Sequence, residues 1–204
     1  MTITSVEKTK TGNMIRIFID NRYAFTIPEE DYIRNHLYER EEITEEKLRH
    51  IRENVIARAA REQAVRYLTV RDRSEGELIK KLTDAGYDSD VAVSTAEALK
   101  AIGYINDLRY AMRYLSGRLK TRALSKKVLR YELKQKEISD EIIEKALSEF
   151  EIDDEQIALR AARKKFGKYD LNDQKIQSKV LRFLYHRGFA PELCKQVLHS
   201  MMTD

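Results

Sequence analysis

A 51-residue internal repeat is the feature of this 204-residue chain that most restricts its possible folds. Leu82, Leu133 and Leu184 stand at that spacing, each near the end of a run with helical periodicity. The same shift relates three further sets of small or apolar positions: Leu78, Leu129 and Val180; Val91, Ile142 and Leu193; Ala60, Ala111 and Ala162. One offset that holds over two intervals without a gap is typical of tandem structural repeats. We therefore interpret most of the chain as three copies of one small unit.

Helix signals predict that each unit contains three helices. The chain has only two Pro and seven Gly, so it offers few helix breakers. Ser74, Ser125 and Ser139 each precede an apolar helical pattern and are predicted N-caps. Glu77 follows Ser74 by three residues, the spacing of a capping box, and Gly86 stands where a C′ glycine ends a helix. These signals favour an all-α fold for the repeats.

The N-terminal segment has a different pattern. Apolar residues alternate with others over residues 15–19 and 23–27, which predicts two strands joined by a turn at Asp20 and Asn21. A further strand over residues 2–6 would turn back through residues 10–13. We predict a small β-meander that must pack on another element, because so small a sheet is marginal alone.

These patterns together predict the organisation of the chain. Residues 1–43 hold the β element and a short helix, and residues 44–106 hold the first helical repeat with a long leading helix. Residues 107–152 and 153–204 form the second and third repeats. Charged residues make up 35% of the chain, so apolar positions are thinly spread and we expect an elongated row of small units rather than one thick core.

Charge is sorted into blocks along the chain. Residues 109–136 hold ten Lys or Arg against one acid, whereas residues 137–155 hold nine acids and one Lys. Blocks of like charge create electrostatic fields that steer association with charged partners. A second basic group lies in the matching helix of the third unit. The candidate binding surface comprises Arg109, Arg113, Arg118, Lys120, Arg122, Lys126, Lys127, Arg130, Lys134, Arg163, Lys164, Lys165 and Lys168. We favour this interpretation over a merely solvated helix face because the charge of the first block is nearly unopposed locally.

Catalytic, metal-binding and membrane motifs find little support. The four His form no ligand pair, and no Gly-rich phosphate loop is present. The single Cys194 lies in an apolar helical pattern and is predicted to be a buried thiol. No run of eighteen apolar residues and no apolar N-terminal signal segment occur. We expect a cytoplasmic, non-enzymatic protein without cofactor, metal or membrane contact.

Residues 67–87 and 103–111 resemble the RecX family of bacterial recombinase regulators. The run from Leu129 to Ser139 agrees as well, although Glu137 stands where family members usually carry Gly. The signature positions are Arg71, Arg73, Ser74, Glu77, Leu82, Gly86, Tyr87, Gly103, Tyr104, Asp107, Tyr110 and Ala111. We interpret them as structural residues, with Tyr87, Tyr104 and Tyr110 in the core or between units. Tyr114 and Tyr131 are the better candidates for stacking on bases.

The resemblance implies a regulator that binds the RecA filament on single-stranded DNA, touching the DNA directly or through RecA. Such a protein restrains the ATPase, strand exchange and coprotease activities of RecA in DNA repair and the SOS response, and we expect it to be a monomer. Two alternatives stay open: a helical-repeat DNA-binding protein without a RecA partner, and a scaffold for an acidic protein that does not bind DNA. Steep loss of affinity with salt would indicate phosphate contacts.

Overall fold

The computed structural model describes residues 1–10 and 13–203 of the chain. The chain divides into two compact units, Met1–Asn106 and Asp107–Asp204. The predicted turn over residues 10–13 includes Thr11 and Gly12, which lie outside the described residues. No helix of the described part is long and apolar enough to cross a membrane.

The first unit begins with the predicted antiparallel sheet. Its strands are β1 (Ile3–Lys8), β2 (Met14–Ile19) and β3 (Arg22–Pro28), in the spatial order β1-β2-β3. Asp20 and Asn21 turn the chain between β2 and β3 with φ angles of 48° and 63°. These left-handed conformations match the twist of the flanking strands, so the hairpin predicted from the sequence is confirmed.

Helices complete the first unit. They are α1 (Glu29–Arg34), α2 (Glu45–His50), α3 (Ala57–Val70), α4 (Glu75–Asp84) and α5 (Ser89–Ala101). The predicted long leading helix is present, but a π-helical segment, Ile51–Ile56, joins α2 to α3. Its wider turn brings residues five apart onto nearly the same side. Ile51, Val55 and Ile56 can therefore all be buried, as the structure shows.

The sheet and the first repeat share one hydrophobic core. Ile17, Phe25 and Ile27 from the strands are almost fully buried in the same cluster as Leu78 and Leu82 from α4. Burial at this level stabilises a large apolar side chain by about 1.5–3 kcal/mol relative to exposure. The prediction that the small sheet needs a packing partner is confirmed, and the partner is the first repeat.

The second unit contains the other two three-helix repeats. The second repeat consists of α6 (Asp107–Thr121), α7 (Lys126–Lys134) and α8 (Asp140–Ser148), and the third of α9 (Asp154–Phe166), α10 (Gln174–Tyr185) and α11 (Pro191–Thr203). Each repeat has its own cluster of buried apolar residues. Leu82, Leu133 and Leu184, which define the repeat in the sequence, have no solvent exposure. The all-α repeat class with a small N-terminal sheet is confirmed.

The same left-handed turn ends the middle helix of every repeat. Gly86, Glu137 and Gly188 stand at the 51-residue spacing and have φ angles of 102°, 57° and 81°. A non-glycine residue is disfavoured in this region because its Cβ crowds the backbone. The second repeat makes the turn with Glu137, at a local cost in stability.

Candidate binding surface of the second unit

One basic residue of α6, Arg118, is fixed by an internal network. Arg118 lies 2.9 Å from the carboxylate of Glu132 and donates hydrogen bonds of 3.0 and 2.8 Å to the hydroxyl oxygen of Tyr114. The Tyr114 hydroxyl donates in turn to Glu132 over 3.0 Å. Burial raises the pKa of Tyr114, so the phenol stays neutral and can act as this donor. Arg118 and Tyr114 therefore bind one another, and the Tyr114 ring already carries a guanidinium over its face.

Two further cations of the block are paired with α8. Arg130 reaches both carboxylate oxygens of Glu144, at 2.6 and 2.9 Å, and Lys134 lies 2.8 Å from Asp140. The hydrogen bond from Arg130 lowers the pKa of the Glu144 carboxyl. The expectation that the basic block is nearly unopposed is thus wrong for Arg118, Arg130 and Lys134. Glu132 is the one acid inside the block, whereas Asp140 and Glu144 belong to α8, which packs against α7.

Four other cations of the block have no ion-pair partner among the residues described. Lys120, Arg122, Lys126 and Lys127 make no ion pair in the described part of the chain. Lys120, Arg122 and Lys127 are exposed, and Lys126 is half-buried at the first turn of α7. Arg109 and Arg113 lie on the exposed side of α6. The candidate surface therefore divides into neutralised positions and positions that still carry free positive charge.

The third repeat adds the second basic group. Arg163, Lys164 and Lys165 occupy the last turn of α9, where positive charge complements the negative end of the helix dipole, and Lys168 follows shortly after. All four are exposed. The Lys165 Nζ atom lies 4.4 Å from the ring centre of Phe183 on α10, so this lysine also makes a cation–π contact.

The second and third repeats meet at the start of α7. The backbone amide of Lys126 donates to the Asp154 carboxylate over 2.8 Å, and the amide of Ser125 donates to the carbonyl oxygen of Arg187 over 3.0 Å. A cleft of about 880 Å³ opens beside these contacts. Arg160 and Arg187 line it together with Lys120, Arg122 and Lys164. Sequence reasoning did not include Arg187 in the site, because nothing in a single helix pattern shows which side faces another repeat.

The signature residues before α4 hold the turn that follows α3. Ser74 is fully buried and its hydroxyl accepts a 3.1 Å hydrogen bond from the Glu77 amide, as the capping prediction requires. Arg71 lies 3.2 Å from the Glu77 carboxylate, and Arg73 donates to the carbonyl oxygen of Tyr67 over 3.4 Å. These contacts are internal to the first unit, so the four polar side chains act on its own structure.

The signature tyrosines differ in their surroundings. Tyr87 is buried after Gly86, and burial raises its pKa to about 12. Tyr110 is half-buried and stacks on Tyr114 with ring centres 6.4 Å apart. The expectation that Tyr104 packs inside is wrong, because its side chain is 58% exposed. It follows the left-handed Gly103, and the next residue, Ile105, enters the core instead.

The remaining predicted positions agree with their expected burial. Leu82 and Ala111 have no exposure, and Asp107 is buried at the first turn of α6. Cys194 is buried in the third repeat, and burial raises the pKa of its thiol. Tyr131, the other stacking candidate, is 61% exposed on α7. No group of three or more potential metal ligands occurs in the residues described.

Each of the three helical repeats matches the model of a known domain family. Residues 60–99, 106–147 and 153–198 match the models of the first, second and third three-helix domains of RecX. A regulatory protein RecX from Clostridium beijerinckii is 29% identical over 207 residues, covering 100% of this chain and 96% of the relative. A regulatory protein RecX from Vibrio vulnificus is 33% identical over 140 residues, covering 69% of this chain and 91% of the relative.

Solved structures show the same fold. A crystal structure of a regulatory protein RecX superimposes with a TM-score of 0.61 at 24% identity, covering 96% of this chain and 98% of that one. The RecX structure from Lactobacillus salivarius gives a TM-score of 0.59 at 21% identity and covers 72% of this chain and 97% of that one. With three consecutive domain matches and relatives aligned over most of both lengths, this chain belongs to the RecX family of regulatory proteins.

Proposed function

We propose that this protein binds the RecA filament on single-stranded DNA and inhibits the ATPase, strand exchange and coprotease activities of RecA. Family membership supports a regulatory role. The observation that carries the proposal is a set of cations, in two consecutive repeats of the second unit, that make no ion pair among the residues described. Lys120, Arg122, Lys126 and Lys127 come from the second repeat, and Lys164 comes from the third.

Unpaired positive charge on a polar surface favours a polyanionic partner. Long-range attraction raises the association rate with such a partner, and salt weakens it. A filament on single-stranded DNA provides both nucleic-acid phosphates and protein surface. Arg118, Arg130 and Lys134 are held by Glu132, Glu144 and Asp140, so they must leave these partners before they can contact a phosphate directly.

The mechanism requires no covalent chemistry by this chain. A bound regulator that touches filament subunits through more than one repeat holds them in an arrangement unsuited to ATP turnover, or obstructs the path of the second DNA. Either effect requires that the protein binds one state of the filament more tightly than the other. A ligand with equal affinity for two states does not shift the equilibrium between them. The protein acts as a cytoplasmic monomer in DNA repair and the SOS response.

The test is ATP hydrolysis by RecA of the same organism on single-stranded DNA, with increasing amounts of the full chain. Coprotease activity is followed in parallel. We expect both activities to fall at amounts stoichiometric with or below RecA. Unchanged activities at a one-to-one ratio would overturn the proposal.

A second candidate function is DNA binding without a RecA partner. The cleft between the second and third repeats favours it, because its lining includes six Lys or Arg and no Asp or Glu. Binding of the chain to naked single-stranded DNA over a range of salt concentrations separates the two. If tight, salt-sensitive DNA binding accompanies unchanged RecA activities, the second function replaces the first.

A further inference from the structure

The cleft between the second and third repeats has a consistently basic lining. The end of α6 and the loop after it form one wall, and α9 and the end of α10 form the others. The cations that line it are Lys120, Arg122, Arg160, Lys164, Lys165 and Arg187. None of them makes an ion pair within the described residues. Like charges gathered in this way repel one another, and a bound anion removes that repulsion.

A second, aromatic lobe adjoins the basic cleft. It has a volume of about 600 Å³ and is lined by Phe166, Tyr169 and Ile176, among others. The two lobes share Lys165, Phe183, His186 and Arg187. Tyr169 is 56% exposed, so its ring offers a free face in a mainly basic surrounding. Aromatic faces beside cations are the composition of sites that bind nucleic-acid bases and phosphates together.

Arg187 lies where the two lobes join. Its guanidinium carbon is 4.1 Å from the ring centre of Phe183, while Lys165 Nζ lies 4.4 Å from the same ring. The Nε atom of Arg187 is buried and has no hydrogen-bond partner among the residues described. A buried donor without a partner is costly in a folded protein, and a water or a polar ligand that reaches this atom would relieve the cost.

We propose that this two-lobed cleft binds a nucleotide unit. The phosphate lies among Lys120, Arg122, Arg160 and Lys164, and the base lies against Tyr169 in the aromatic lobe. Arg187 donates to the ligand from the junction. The unit comes either from a free nucleoside phosphate or from a single-stranded nucleic acid, because both present the same base and phosphate. The proposal deepens the second candidate function, DNA binding, by naming the site and the ligand unit, and it is tested without RecA.

Binding at this place has a consequence for the second unit. Lys120 and Arg122 belong to the second repeat, whereas Arg160, Lys164 and Tyr169 belong to the third. A phosphate between them cross-links the two repeats by charge-assisted hydrogen bonds. We therefore expect ligand binding to raise the melting temperature of the full chain.

The test uses fluorescein-labelled twelve-residue oligo-dT, ATP and inorganic tripolyphosphate as probes of the full chain. The cleft variant is Arg160→Gln with Lys164→Gln, and the matched control is Lys175→Gln with Lys195→Gln. All four positions are exposed, and both variants lose two positive charges. We expect the cleft variant to bind oligo-dT about tenfold more weakly, with a salt slope smaller by about 1, while the control stays within about twofold of the wild type.

A second pair of variants tests the aromatic lobe. Tyr169→Ala removes the exposed ring of the lobe, and Tyr185→Ala removes an exposed ring outside it. We expect only Tyr169→Ala to weaken oligo-dT and ATP severalfold, and neither variant to change tripolyphosphate binding. Displacement of the labelled oligo-dT by unlabelled ATP or unlabelled oligo-dT then identifies the source of the ligand. If ATP displaces it much less well per nucleotide than oligo-dT does, the ligand is a strand. If ATP displaces it equally well, the ligand is a free nucleotide.

Two results would overturn the proposal. Equal loss of oligo-dT binding in the cleft variant and its control would show that only net charge matters. Unchanged oligo-dT and ATP affinity in Tyr169→Ala would show that no base occupies the aromatic lobe. Because RecA is absent, either result leaves the proposed regulation of RecA untouched.

Discussion

The amide of Ser125 donates a 3.0 Å hydrogen bond to the carbonyl oxygen of Arg187, and this bond joins the start of α7 to the turn after α10. Ser125 also caps α7, since its hydroxyl accepts from the Val128 amide over 3.3 Å. One residue therefore ends the second repeat's loop, begins its basic helix and contacts the third repeat. This contact between the second and third repeats therefore positions both the cations at the start of α7, Lys126 and Lys127, and the cleft beside them.

Gly188 is predicted to be essential to that junction. A Cβ atom at this position would lie 2.2 Å from Cγ2 of Val128 and 2.8 Å from the Ser125 hydroxyl oxygen, and the φ angle is 81°. Gly188→Ala therefore adds backbone strain and overpacking, and we expect a loss of about 2–4 kcal/mol in the free energy of unfolding. Urea denaturation of the full chain measures it. A change below about 0.5 kcal/mol would contradict the described contact.

Glu137→Gly is the matched substitution in the second repeat and should act in the opposite direction. Glu137 occupies the equivalent turn with φ 57°, but its side chain is exposed. Glycine relieves the left-handed strain, so we expect stability to rise by about 0.5–1 kcal/mol. The same urea experiment applies. Destabilisation by this change would mean that the Glu137 side chain makes a contact that matters.

Asp154 is predicted to support α7 from the neighbouring repeat. Its carboxylate accepts a 2.8 Å hydrogen bond from the amide of Lys126. Lys126 is the first residue of α7, and the amides of the first turn of a helix have no partner within the helix. Asp154→Ala should cost about 1 kcal/mol and speed hydrogen exchange of the Lys126 amide. Glu155→Ala removes the same charge from a neighbouring exposed position and should leave that amide unchanged. Equal exchange in both variants would contradict the role given to Asp154.

Alkaline pH should weaken the first unit. Burial, together with a hydrogen bond to Asp88, raises the pKa of Tyr23 to about 12, and burial raises the pKa of Tyr87 to the same value. A tyrosine with a raised pKa in the folded state contributes stability that is complete below about pH 10, its unfolded pKa. That stability is lost as pH rises from about 10 towards 12.

Thermal unfolding at a series of pH values checks this expectation. The melting temperature of the full chain should fall steadily above about pH 10. Tyr23→Phe removes one of the two groups, so its melting temperature should fall less steeply over the same range. Identical pH dependence of the melting temperature in the variant and the wild type would show that folding does not raise the pKa of Tyr23.

Substitution of the unpaired cations of α7 should weaken inhibition of the RecA ATPase more than substitution of its ion-paired cations. Lys126 and Lys127 make no ion pair among the residues described, whereas Arg130 and Lys134 are bound by Glu144 and Asp140. Changing Lys126 and Lys127 to Gln should weaken inhibition of the RecA ATPase at least about fivefold in half-inhibitory concentration, because these two cations can contact phosphates without first breaking an ion pair. The pair Arg130→Gln and Lys134→Gln loses as much formal charge but should have a smaller effect. The reverse order would contradict the assignment.

Regular local signals made much of the fold predictable. The 51-residue spacing located the buried leucines, Ser74, Ser125 and Ser139 cap the predicted helices, and Asp20 begins the predicted hairpin turn. Each of these signals acts over a few residues. The Ile51–Ile56 segment lacked such a signal, since its apolar residues also fit an ordinary helix.

The candidate site was less predictable because its chemistry depends on distant contacts. Arg130 and Glu144 are fourteen residues apart, and their pairing follows from the way α7 packs on α8. The position of Arg187 in the cleft follows from docking of the third repeat on the second. A charge count along the sequence finds the basic block, but it cannot separate neutralised cations from free ones.

Binding of the labelled full chain to preformed RecA filaments decides whether the filament is its partner. Co-sedimentation with filaments on single-stranded DNA is compared with naked DNA, at a salt concentration where binding to naked DNA is lost. We expect the wild type to sediment with the filaments at that salt and the variant with Lys126 and Lys127 changed to Gln to do so much less. Sedimentation no greater with filaments than with naked DNA would contradict a RecA filament as the partner.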